Sequence, residues 1–201
     1  RSADRTHRPG TRRAGRQSMA NGKKYAHRMM TNPFPPALST RPAPEMILLR
    51  HGETVFNRVF GATRIDPGVR DPRLTDRGRD QAQTVAENLR DAQITRLISS
   101  PYTRALETAQ IIAGVLDVPI AVDAMVRERG AFSCDVGSSV SKLAVTWRSI
   151  GFDHLDEIWW HEDEEHETEF LDRCRQFKFR MAETADWSTV GVVTHWGVIR
   201  A

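Results

Sequence analysis

Two histidines in this chain stand at the ends of short apolar runs. His51 follows Met46-Ile47-Leu48-Leu49-Arg50, and His195 follows Val190-Gly191-Val192-Val193-Thr194. Such runs read as buried strands of a parallel sheet, and open parallel sheets bind ligands outside the carboxyl ends of their strands. Two imidazoles delivered there, with Arg50 beside the first, suit a nucleophile and a site for an anionic group. A neutral imidazole attacks phosphorus if nearby cations hold its pKa near or below the operating pH. Arg50 and Arg104 are placed to supply that charge, and a guanidinium also matches a phosphate with paired N–H donors. Glu128 follows a third strand signal on a loop, where a carboxyl can protonate a leaving alkoxide and then activate water.

The elements that must hold these groups alternate along the chain. Met46–Arg50 reads as the first strand. Residues 51–73, with Gly52, Gly61, Pro67, Gly68 and Pro72, read mostly as loop. Thr75 is a helix N-cap, and Ala82, Val85, Ala86 and Leu89 carry helical spacing to about Asp91. Arg96–Ser99 is a second strand, and Pro101 sits near the start of a helix with a stripe of Ala105, Ala109, Ile112 and Leu116. Ile120–Val122 is a third strand, residues 127–137 are irregular, and Ser138 to about Trp147 is a short helix. The acidic segment Glu162–Glu169 leads into a helix striped by Phe170, Cys174, Phe177 and Met181, with bases further on as the helix dipole favours. Val190–Thr194 is the last strand. The sum, β-α-β-α-β-α-α-β, predicts an α/β fold, a three-layer α/β/α sandwich with a mostly parallel sheet.

The chain has 201 residues, enough for one domain with a substantial core. No run approaches the roughly 18 apolar residues of a membrane span, so no membrane partner is expected. The two cysteines, Cys134 and Cys174, are too few for a disulfide framework and read as free thiols in a reducing, cytoplasmic compartment. The net charge of +3 is an average over unlike parts. Residues 1–44 hold ten Lys/Arg against one acid, Asp4, and the remainder is net acidic. The basic excess therefore belongs to the tail and gives no ground for a nucleic-acid ligand of the domain. Residues 1–45 read as a disordered, basic, Pro-rich tail. Residue 1 is not Met while Met19, Met29 and Met46 are candidate starts, so a mis-assigned start is the favoured reading. An organelle transit peptide and a basic arm for nucleic acid or a membrane surface are the alternatives.

Four motifs occur in order. They are Arg50-His51-Gly52-Glu53-Thr54 with Asn57; Leu74-Thr75 with Gly78; Ser99-Ser100-Pro101 with Arg104 and Thr108-Ala109; and Thr194-His195-Trp196-Gly197. Together they resemble the histidine phosphatase superfamily, its phosphoglycerate-mutase-like branch, from Met46 to Ala201. The resemblance implies a phosphoglycerate mutase-like fold and a small phosphorylated substrate, with no cofactor and no metal. It implies that His51 is the nucleophile that becomes phosphohistidine, that Arg50, Arg104 and His195 hold the phosphoryl oxygens, that Asn57 adds a hydrogen bond, and that Glu128 is the proton donor. Gly130-Ala131-Phe132-Ser133 stands where mutases of the family carry a Tyr-Gly-Gly-Leu-like stretch, which argues for a phosphatase. Mutase-type phosphotransfer and a non-catalytic phospho-ligand binding module are the alternatives. Trp196 occupies a position that is usually small. The chain stops at Ala201, where the helix after the last strand should begin, so the domain reads as truncated at its C-terminus.

Other chemistry-bearing residues receive structural readings. Glu53 supports its loop and Glu107 faces solvent. His154, His161 and His166 with the acidic run mark a solvated helix start, since their spacing fits no metal signature. Trp147, Trp159 and Trp160 pack as a lid over the site, and Cys134 is a small buried residue. The pocket above the phosphate is expected from residues 58–73 and 129–160.

Overall fold

The computed structural model describes residues 46–201. The expectations for the tail lie outside the described residues. In chain order the elements are β1 (Ile47–Arg50), α1 (Val55–Thr63), α2 (Asp76–Asn88), β2 (Arg96–Ser99), α3 (Thr103–Leu116), β3 (Ile120–Val122), α4 (Val140–Thr146), α5 (Glu167–Ala182), β4 (Val190–Thr194) and α6 (Trp196–Arg200). Short 3-10 turns occupy Ala124–Val126 and Ser133–Asp135.

The strands form one sheet in the order β1-β4-β2-β3, and every pair is parallel. Alternation along each strand sorts its side chains to two faces. Leu97 and Val193 pack with Ala86 of α2 and Ala105, Ala109 and Ile112 of α3. Their neighbours Ile98 and Val192, with Val190, pack with Phe177 and Met181 of α5. Helices thus cover both faces, giving the three-layer α/β/α sandwich. A further apolar cluster lies beside β3, where Tyr102, Leu106 and Val122 meet Leu143, Trp147, Phe152 and Trp159. Among the described residues no helix is long and apolar enough to cross a membrane.

The segment after β1 departs from the loop expected there. Thr54 Oγ1 accepts the Asn57 N–H at 3.1 Å, and Asn57 Oδ1 accepts the Thr54 N–H at 3.1 Å. This reciprocal cap satisfies two donors that a helix start leaves open. Val55, Phe56, Val59 and Phe60 then follow at helical spacing, and the helix runs through Gly61, whose Cβ position is open space. Arg64 ends it in the left-handed region at φ 58°, a place where glycine is usual. The glycines and prolines of residues 51–73 hid this cap. Thr75 caps α2 as expected, accepting the Gly78 N–H at 3.0 Å.

Candidate active site

The sheet order decides the floor of the site. β4 lies between β1 and β2, with Arg50 in register with Thr194 and Ser99 with Val193. The next residues along these strands, His51, His195 and Ser100, therefore lie side by side at the carboxyl edge. The His51 N–H donates to Thr194 O at 3.0 Å and the Ser100 N–H to Val193 O at 3.0 Å. The two imidazole centroids are 5.1 Å apart, tilted by 56°.

His51 Nδ1 lies 2.7 Å from Gly52 O. A carbonyl can only accept, so Nδ1 carries the proton and Nε2 of the neutral ring keeps its lone pair. Burial pushes the His51 pKa well below the usual histidine value, and the charges of Arg104 and Arg50 push the same way against the Gly52 bond. His195 is completely buried and is depressed likewise, first by burial and then by Arg104 and His51. Its Nε2 is 2.8 Å from Ser100 Oγ, while its Nδ1 is buried with no hydrogen-bond partner among the described residues. Such an unpaired buried group costs about 1–3 kcal/mol and asks for a ligand or a function.

The loop carrying His51 is clamped at close range. A Cβ on Gly52 would stand 2.2 Å from Gly78 O, and one on Gly78 2.1 Å from Glu53 O, so α2 begins in backbone contact with this loop. The Gly52 N–H donates to Thr108 Oγ1 at 3.1 Å, and that hydroxyl donates to Arg104 O at 2.8 Å. One turn of α3 thus holds both the loop and Arg104. The Arg104 guanidinium is buried, donating to Cys134 O at 2.6 Å and Asp135 Oδ1 at 3.0 Å, 4.1 Å over the Tyr102 ring. Burial raises the Asp135 pKa although Arg104 opposes it.

Glu128 comes from the loop after β3. Its Oε2 accepts the Gly197 N–H at 3.2 Å and its Oε1 the Arg129 N–H at 3.0 Å. Burial raises its pKa, and these two backbone bonds act in the opposite direction. A Cβ on Gly197 would stand 2.2 Å from Glu128 Oε1, so a side chain there would push this carboxylate from its place. Trp196, at the position expected to be small, is 54% exposed and lines the cleft beside Gly197 and Glu128. Arg173 of α5 secures the loop, donating to Met125 O and Arg127 O and gripping buried Glu165 with Nε and Nη2 at 2.9 and 2.6 Å.

These groups open onto a cleft of about 620 Å³ lined by Arg50, His51, Asn57, Arg104 and Glu128, with Phe56, Phe60, Phe132 and Trp196 further out. His195 does not line it; it lies beneath, against His51. The cap takes Asn57 Oδ1 and leaves the amide NH2 as the unused end. A second cleft of about 430 Å³ shares Arg50, His51 and Asn57 and runs along Gln81 and Val85 of α2.

Three structural readings need correction. Glu107 is buried, not solvent-facing; it accepts from Arg73 Nε at 2.6 Å and from the Leu74 N–H at 2.8 Å, because the segment before α2 folds over that face of α3. Trp147, Trp159 and Trp160 form no lid. Trp159 packs on Tyr102 at 4.7 Å and donates to Ser138 O at 2.9 Å, deep in the cluster beside β3, and none of the three lines the cleft. The cleft wall draws on Phe60, Gly61, Arg64, Pro72 and residues 129–135, and takes nothing from 136–160. Glu53 does support its loop, accepting from Thr75 Oγ1 at 2.9 Å. Ser100, Thr108, Asp135 and Gly197 hold the candidate groups in place without having been assigned a part. Ser100, Thr108 and Gly197 lie inside the motifs, a local signal; Asp135 had no local signal as the partner of Arg104.

Comparison with known proteins gives the family and the fold. A match to the histidine phosphatase superfamily (branch 1) spans residues 46–201. The chain is 35% identical over 161 residues to phosphoglycerate mutase-like protein 4 of Arabidopsis thaliana, covering 78% of this chain and 68% of that one. It is 28% identical over 169 residues to glucosyl-3-phosphoglycerate phosphatase of Mycolicibacterium vanbaalenii, covering 78% and 71%. A mycobacterial glucosyl-3-phosphoglycerate phosphatase in complex with VO3 shares the fold at a TM-score of 0.54 and 24% identity, over 78% of this chain and 77% of that one. A phosphoserine phosphatase variant of Entamoeba histolytica in complex with phosphoserine does so at 0.53 and 23%, over 77% and 75%. With a match that covers every described residue, the chain belongs to the histidine phosphatase superfamily (branch 1), an enzyme family of phosphatase and mutase type.

Proposed function

We propose that this chain hydrolyses a small phosphomonoester through a phosphohistidine on His51. The observation that carries the reading is the state of His51. It is a buried neutral imidazole with its Nδ1 proton held by Gly52 O, in a cleft shared with Arg50, Arg104 and Glu128. Nε2 attacks phosphorus, the P–O bond to the alcohol breaks, and the Glu128 carboxyl gives its proton to the departing oxygen. The Glu128 carboxylate then takes a proton from water, whose oxygen attacks phosphorus. The P–N bond breaks and its electron pair returns to Nε2. Arg50 and Arg104 bear the charge on the transferring group. In this reading the bound phosphoryl group reaches past His51 to the unpartnered Nδ1 of His195 beneath the cleft floor, while Nε2 accepts from the Ser100 hydroxyl, and the Asn57 amide adds a further donor.

The raised pKa of Glu128 supports its part as the acid. The Gly130-Ala131-Phe132-Ser133 stretch supports hydrolysis over mutase-type transfer, the second reading, which the name of the Arabidopsis relative keeps in play. Every residue given a role here lies within 46–201, and removal of residues 1–45 is expected to leave turnover unchanged. Two buried cysteines without a disulfide fit a reducing, cytoplasmic setting.

The test compares the protein with His51→Ala on p-nitrophenyl phosphate and on 3-phosphoglycerate. Phosphate release from p-nitrophenyl phosphate is expected to fall by at least about 10⁴-fold in the variant, and the parent is expected to carry an acid-labile, base-stable phosphoryl label. Release that survives the substitution sinks the mechanism. Interconversion of phosphoglycerates without release favours the mutase, and phosphate binding without turnover favours a binding module.

A further inference from the structure

Two clefts lead away from His51, and the larger gives the alcohol portion of a bound phosphomonoester a wall that includes Phe56, Phe60 and Phe132. That wall is aromatic. Phe56 and Phe60 of α1 stack at 5.4 Å, and the Phe132 ring meets Phe60 at 5.0 Å and Phe56 at 5.9 Å. Phe132 is 45% exposed, and its backbone is held on both sides. Asp135 Oδ2 accepts the N–H groups of Phe132 and Ala131 at 3.1 and 3.3 Å, and the Asp135 N–H donates to Phe132 O at 2.9 Å. Asp66 accepts the adjacent Ser133 N–H at 2.8 Å and its hydroxyl. The other Asp135 oxygen grips Arg104, so the aromatic wall and the phosphate clamp form one unit.

The charged residues of this wall are occupied or stacked. Arg129 donates through Nη2 to Glu164 at 3.0 Å and through Nε to Glu165 O at 2.9 Å. The Arg64 guanidinium lies 5.9 Å over the Phe60 ring, a cation–π contact that leaves its N–H donors at the outer end of the wall. A sugar acid or an amino acid asks for donors aimed at its carboxylate, whereas a flat apolar group asks for ring faces and edges. An exposed aromatic packed edge-on against Phe60 on a hydrogen-bonded backbone offers a preformed surface, which lowers the cost of ordering it around a ligand.

We propose that the cleft is a subsite for phosphomonoesters of alcohols bearing an aromatic or similarly flat apolar group, with Phe60 and Phe132 as its specificity-determining residues. The inference rests on the phosphatase reading for its catalysis but not for its binding. The experiment separates the two. Phosphonates cannot lose their phosphorus to His51, so the affinities of 2-(2-naphthyl)ethylphosphonate and ethylphosphonate, measured by calorimetry, read the subsite alone. The naphthyl compound is expected to bind at least about ten-fold tighter, the worth of burying an aromatic ring. Phe132→Ala and Phe60→Ala are expected to shrink that ratio severalfold, and Phe132→Tyr to keep it. Equal affinities, or a ratio unmoved by Phe132→Ala, overturn the subsite. The corresponding alkyl phosphates, alike in leaving oxygen, then report kcat/KM. Absence of turnover with the phosphonate ratio intact overturns the phosphatase reading and leaves the subsite standing.

Discussion

The floor of the cleft, where β1 and β4 end, and its outer wall, residues 127–135, are held by different forces. The floor is held by backbone: the parallel ladder, the His51 N–H on Thr194 O, and the contact of Gly52 with Gly78. Its titratable groups are two neutral imidazoles. The wall is held by charge: Arg173 and Arg127 on Glu165, Arg104 on Asp135, and Asp66 on the Ser133 backbone and hydroxyl. A ladder bond belongs to any sequence that forms the strand, so the reacting groups rest on the most general part of the fold. The wall depends on particular side chains, and a few substitutions there can reshape what the cleft admits.

The sharpest break between the two regions is expected at Glu128, which the wall presents to the floor. Glu128→Gln is expected to lower kcat for an alkyl phosphate by about 10²- to 10⁴-fold, the usual worth of a general acid. The loss with p-nitrophenyl phosphate should be smaller, since that leaving group departs without a proton. Equal losses on both substrates would remove Glu128 from the role of acid. Next in size, Glu165→Ala strands Arg173 and Arg127 in a buried setting, at about 3–5 kcal/mol of stability. Urea unfolding reads this directly, and an unmoved midpoint would mean that charge does not hold the wall.

The floor should show itself through pH. His51 and His195 titrate in the folded protein well below 6.5, so the unfolded chain binds more protons once pH falls past that value. Stability then declines toward acid by about 1.4 kcal/mol per pH unit for each histidine, until the folded pKa is reached. Glu128, raised from 4.5 in the folded state, has the opposite sign, and its contribution is lost as pH rises through its folded pKa. Urea midpoints between pH 7 and about 5 test the sum, and His195→Asn should flatten the slope by one proton. The smallest effect is expected at Asn57. Asn57→Ala removes one half of the α1 capping box and leaves Thr54 Oγ1 in place, at no more than the about 1 kcal/mol of a whole N-cap, whereas Asn57→Asp keeps the capping oxygen and replaces the amide donor with a charge. Thermal melts that recover in the Asp variant while turnover does not would separate capping from phosphate binding.

Much of this molecule was legible in its sequence where the signal was local. All four strands fall where their apolar runs stand, and α5 buries Phe170, Cys174, Phe177 and Met181 as their spacing required. The helix α1 is illegible at this level because glycines and prolines surround a cap made only by Thr54 and Asn57. Glu107 was misjudged for another reason: its burial depends on Arg73 and Leu74 folding back from another segment. The tryptophans were misplaced because an indole near a site in sequence need not be near it in space, and Tyr102 offered a better partner.

By itself the sequence determined that a histidine follows the end of β1 and another the end of β4, and that an arginine stands near the start of the helix after β2. Each of these is set within a few residues by strand periodicity and capping. The tertiary structure alone decided that β4 lies between β1 and β2, which brings the two imidazoles to 5.1 Å. It decided too that Arg104 leans on Asp135 and that Phe132 faces the cleft. Strand insertion and the pairing of buried charges depend on how the whole chain packs, and no local stretch of residues contains that information.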